Sequence, residues 1–122
     1  MSTPAEGKLV TLIAEAARGP QREGLFALWL MVRAAEGLLP PAPVSAKNHR
    51  RRLQAIETRL GSLALPAPLR RALAAARQHL ETATPDAAAL VLSQLTAPAR
   101  DVLGADAAEA VTVAARGAKL HL

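Results

Sequence analysis

Two Thr-Pro pairs divide this chain. In "TPAE" at Thr3 to Glu6, threonine stands at an N-cap, proline at the first helical position and glutamate where it can complete a capping box. "TPD" at Thr84 to Asp86 repeats the arrangement, with an acid at the positive end of a second helix. Proline and glycine break the remainder into further short segments. A chain punctuated in this way has little room for anything except helices of moderate length joined by brief connections.

Between Thr3 and the Gly19-Pro20 stop, Leu9, Leu12, Ile13 and Ala16 follow the spacing of one buried helical face. A second helix is predicted over Gln21–Glu36, ending at Gly37, and its Leu25–Val32 run is apolar on every side. At about 100° per residue, Arg22, Trp29, Arg33 and Glu36 share one sector, opposite Ala27, Leu28, Met31, Ala34 and Ala35. Gly37–Val44 carries Pro40, Pro41 and Pro43 and reads as a stiff extended connector.

Ser45 caps a third predicted helix that runs to about Leu60, before Gly61. Pro66 and Pro68 mark the start of a fourth, to about Thr82, with Leu69, Ala72, Leu73, Ala76 and Leu80 as its apolar stripe. The fifth begins at Thr84-Pro85-Asp86 and is free of charge from Ala87 to Ala99, with Ser93, Gln94 and Thr96 as its wet edge. Thr96 and Pro98 are expected to interrupt it, leaving one short turn that ends at Gly104. Asp106, with Glu109 three residues on, is expected to cap the last helix, which runs to about Arg116 and leaves residues 117–122 to fray.

Composition agrees with this reading. Alanine and leucine dominate the 51% apolar share, while one Phe, one Trp and no Tyr leave little material for strands. The expectation is an all-α protein: one domain over residues 1–122, a compact antiparallel bundle of five to six helices with helices 2 and 5 most buried. The longest uncharged apolar run is eight residues against the roughly 18 to 20 that cross a bilayer, and the N-terminus does not read as a secretory signal. A soluble, cytoplasmic protein is expected; the lack of cysteine excludes disulfides and thiolate chemistry without fixing a redox compartment.

The net charge of +5 is unevenly placed, since residues 47–77 hold eight basic side chains against one acid, Glu57. Lys47, Arg51, Arg52, Arg59, Arg70, Arg71 and Arg77 are therefore the candidate surface for an anionic partner, on the hairpin of helices 3 and 4. Within "HRRRL", helical geometry turns Arg50, Arg51 and Arg52 to roughly 60°, 160° and 260° from Leu53, so the triplet is no single face. His49 joins Leu53, Ile56 and Leu60 on the buried stripe, where a backbone carbonyl is the expected partner of its ring.

His49, His79 and His121 lack metal-ligand spacing, the carboxylates are scattered, and no glycine-rich phosphate loop or nucleophile arrangement occurs. No enzyme activity, metal or cofactor is expected. Helix 2 looks difficult to cover within so short a chain, which makes Phe26, Trp29, Leu30 and Arg33 candidate interface residues for a second copy or another protein. Three functions follow: a self-associating helical interaction module that binds another macromolecule, a non-specific nucleic-acid binder using the helix 3 and 4 arginines, or an apolar small-molecule pocket beside Met31.

Overall fold

In a computed structural model that describes residues 3–121, the capping box closes as its residue types require. The Thr3 hydroxyl accepts the Glu6 amide at 3.2 Å, and the Glu6 carboxylate accepts the Thr3 amide at 3.3 Å. They open α1 (Pro4–Glu15). Ser45 accepts from the Asn48 amide at the start of α3 (Ala46–Ser62), and Thr84 from that of Ala87 at the start of α5 (Pro85–Leu103). The remaining helices are α2 (Pro20–Glu36), α4 (Ala67–His79) and α6 (Ala105–Lys119). Among the described residues there is no strand, and no helix is long and apolar enough to cross a membrane.

Several boundaries differ from those read in the sequence, and packing decides each one. α1 stops at Glu15, where extended Ala16 donates to the Leu12 and Ile13 carbonyls, well before Gly19. Only Ala5 and Leu9 of this helix are fully buried, so burial does not favour another turn. α5 continues through Pro98, because Ala99 and Leu103 beyond it are buried and their burial offsets the missing amide. α6 starts at Ala105, which puts Asp106 in the first turn instead of at the cap, and it passes Gly117 because Ala118 is wholly buried. The expected fraying is thus absent over 117–119, while Leu122 lies outside the described residues.

α2 packs on all five other helices and is the hub of the bundle. α5 and α6 make the most extensive pairing, folding back on each other through Gly104 alone. That one-residue link depends on φ +101° and ψ 176° at Gly104, a region open essentially to glycine. The buried side chains of α6 are alanines apart from Val111, and α5 contributes Ala87, Ala88, Ala89 and Ala99. Such small side chains let helix axes come close. Leu9, Leu28, Met31, Leu69, Leu73, Leu80, Leu92 and Leu95 supply the bulk, each burial contributing about 1.5–3 kcal/mol. α2 and α5 hold the most buried residues, with α6 close behind.

Pro98 is half exposed and lies inside α5, so its replacement by a residue with an amide is tolerated sterically. Pro98→Ala is expected to raise stability to chemical denaturation by up to about 3 kcal/mol with no change in helical content, measured by circular dichroism.

Candidate interaction surface on α2 and α3

The apolar circumference of α2 is mostly covered by the chain itself. Leu25, Ala27, Leu28, Met31, Val32, Ala34 and Ala35 are buried, and Met31 is sealed in the core and borders no surface recess described below. Helix 2 was expected to be difficult to cover within so short a chain; five other helices share its surface and leave one arc half exposed. What remains half exposed is a stripe of Arg22, Glu23, Phe26, Trp29, Leu30, Arg33 and Glu36, all within an arc of about 140°. The Phe26 and Trp29 ring centroids are 5.7 Å apart. A guanidinium lies against each ring: Arg59 Cζ is 5.4 Å from the Phe26 centroid, and Arg33 Cζ is 5.6 Å from that of Trp29.

The basic residues of α3 and α4 separate into two groups. Arg52 Nη1 donates to the Arg33 carbonyl at 3.2 Å, in the last turn of α2. Gly37 leaves the space for it, since a Cβ there would stand 2.5 Å from Nη1. Arg70 donates to the carbonyls of Leu60 and Leu63 at the end of α3, the latter at 2.7 Å. Arg77 reaches the Leu53 carbonyl at 3.4 Å and pairs with Glu57 and Glu81 at 3.2 and 2.9 Å. These three guanidinium groups are occupied within the fold. Lys47, Arg51, Arg59 and Arg71 are exposed, and none of them forms an ion pair among the described residues.

Arg52 and Arg59 of α3 lie against α2, at the Arg33 carbonyl and the Phe26 ring. Arg51 and Arg52 line a recess of about 220 Å³ with Leu30, Arg33 and Ala55. Farther along α2, a recess of about 500 Å³ is lined by Arg18, Arg22, Phe26 and Leu63, among others. Arg59 over Phe26 stands between them. Arg71 on α4 lines neither recess, and Lys47 sits in the first turn of α3. Arg18 and Arg22 were not singled out from the sequence as binding residues. The i, i+4, i+8 spacing of Arg22, Phe26 and Leu30 was the signal that could have found the second of them.

On the other side of the stripe, Trp29, Arg33 and Arg52 border a polar cleft with Thr3, Glu6 and Glu36. The Thr3 hydroxyl donates to Glu36 Oε1 at 2.6 Å, and Arg33 Nε lies 4.0 Å from Glu6 Oε1. Burial holds the Glu36 carboxyl above the usual range; the Thr3 hydrogen bond partly offsets this and Glu6 adds to it. Burial also pushes the Arg52 guanidinium down, helped by Arg33 and opposed by Glu6. In the cleft, two acids and two bases answer one another and tie the start of α1 to the end of α2. Among the described residues no group of acids and histidines is arranged to hold a metal. His49, on the far side of α3, is buried as its stripe predicts, with Nε2 donating to the Leu80 carbonyl at 2.7 Å. The chain matches no protein-family model, no curated protein and no solved structure.

Arg70→Met leaves two carbonyls at the end of α3 without their donor and is expected to cost about 1–3 kcal/mol in denaturant melts. Arg71→Met, one residue on and exposed, should change stability by no more than about 0.5 kcal/mol. For Glu36 the raised folded pKa means that ionisation opposes folding: the stabilisation is complete below the unfolded carboxylate pKa and is lost as pH rises through the folded one. Glu36→Gln stays neutral and keeps an acceptor for Thr3. Thermal melts of this variant should therefore exceed those of the wild type at neutral pH and converge with them near about pH 4.

Proposed function

We propose that the protein is a non-catalytic helical interaction module that binds another macromolecule through the α2 stripe and the adjoining face of α3. The observation that carries this reading is the half-exposed row Phe26, Trp29 and Leu30, bordered by arginines. Aromatic and arginine side chains are enriched at interface hot spots, where desolvation of the rings supplies energy and the guanidinium groups supply direction. The cations of the fold divide in the same sense, since those of α4 either serve the bundle or lie outside the groove.

A second copy is a weaker occupant than the sequence suggests. In a two-fold pairing the same patch meets itself, which would bring the cluster of Arg22, Arg33, Arg51 and Arg59 against a second such cluster. Non-specific nucleic-acid binding through α3 and α4 has support from Lys47, Arg50, Arg51, Arg59 and Arg71, whereas Arg52, Arg70 and Arg77 are held inside the chain.

Phe26→Glu/Leu30→Glu changes two half-exposed positions and should leave the helical circular dichroism intact. In pull-downs from the native host, this double variant is expected to recover at least about ten-fold less of whatever the wild type captures, a loss of about 1.4 kcal/mol. Undiminished capture would remove the α2 stripe as the binding surface. Light scattering on the free protein is expected to give a monomer; a dimer that the same variant dissociates would restore self-association.

A further inference from the structure

The groove between α2 and α3 joins an apolar floor to a basic rim, and this combination selects a partner chemistry. Phe26 faces Arg59, Leu30 shares a recess with Ala55, and the Arg33 carbonyl meets Arg52, so the two helices run side by side in opposite directions. From Arg22 to Arg33 the groove follows about 16 Å of α2, or three helical turns, as two recesses divided by Arg59 over Phe26. Phe26 and Leu63 give apolar lining to one, Leu30 and Ala55 to the other. Arg18, Arg22, Arg51 and Arg59 stand along the groove without an ion pair among the described residues. The acid that lines the groove, Glu23, already accepts the Ala64 amide at 2.9 Å.

Resting on the interaction-module reading above, we propose that the occupant is an acidic amphipathic helix of three to four turns contributed by a protein partner. Its aliphatic side chains enter beside Phe26, Leu30 and Leu63, and carboxylates on its two flanks meet the four rim arginines. An all-helical bundle offers no sheet edge to extend, and half-exposed apolar side chains at i and i+4 of one helix, Phe26 and Leu30, suit a further helix laid along it. A second copy of the same face brings cations to cations. Single-stranded nucleic acid needs open aromatic faces for its bases, whereas Arg59 and Arg33 lie against Phe26 and Trp29.

Binding is read by calorimetry and by the emission of Trp29, the sole tryptophan of the chain, whose ring stands 5.7 Å from that of Phe26. The probe is a capped 16-residue peptide with leucines at i, i+3, i+4 and i+7 and glutamates on both flanks, titrated into the intact protein. Saturable binding is expected, weakening at least about ten-fold between about 50 and 300 mM salt as screening grows. It should also weaken about ten-fold or more in Arg22→Glu/Arg51→Glu, which alters only rim positions. A scrambled peptide of identical composition and a version with lysine for glutamate should each bind at least about ten-fold more weakly than the probe. Equal binding by the scrambled peptide, tighter binding by a 20-nucleotide single strand, or no saturable response to the amphipathic peptide would overturn the assignment. If the peptide fails while Phe26→Glu/Leu30→Glu still abolishes capture from the host, the partner chemistry alone is wrong. Capture that survives this variant removes the underlying reading as well.

Discussion

The carbonyl groups at the ends of helices lack a full set of amide partners, and in this bundle side chains of other helices donate to the ends of α2, α3, α4 and α5. His49 of α3 donates to Leu80 at the end of α4, Arg52 of α3 to Arg33 at the end of α2, and Arg70 of α4 to Leu60 and Leu63 at the end of α3. Gln21 of α2 donates to Leu103 at the end of α5, at 3.0 Å. Each bond joins a fixed point on one helix to the terminus of another. In a core with so many alanines, whose side chains offer few shapes to interlock, directional bonds of this kind set helix order and height more sharply than methyl contacts do. The negative end of each helix dipole also favours the guanidinium groups that come to it.

The same economy accounts for the surface. An arginine directed to a helix end is lost to binding, so the strongly basic stretch from Lys47 to Arg77 presents far fewer available cations than its sequence suggests. Of those left over, Arg51 and Arg59 lie with Arg18 and Arg22 along α2, beside aromatic rings that the hub helix leaves half exposed. Thus the groove follows from the packing: α2 is enclosed on most of its circumference, and its last open arc meets the outward arginines of α3. The Thr3, Glu6, Glu36 and Arg33 cleft closes one edge of that arc by tying the first turn of α1 to the last of α2.

Much of the fold was legible because local rules produce it. The caps at Thr3, Ser45 and Thr84, the stripe of His49, Leu53, Ile56 and Leu60, and the carbonyl partner of His49 follow from spacing and residue type. Errors fell where burial at one point outweighs a local penalty at another. Pro98 looked like a break and is not, since Ala99 and Leu103 bury beyond it; Gly19 looked like the end of α1, which stops earlier for want of burial. The site was only half legible. Phe26, Trp29, Leu30 and Arg33 do share one stripe, but their basic neighbours come from α3 and from the turn before α2, which a periodicity within one helix does not reveal.

The sequence alone therefore determined an all-helical chain, the starts of its capped helices and the faces each helix turns inward, because these depend on interactions within about four residues. Only the tertiary structure decided which arginines are occupied and which face outward. That choice depends on whether a helix terminus from elsewhere in the chain lies within reach of each guanidinium, and the distance is set by packing between segments far apart in sequence.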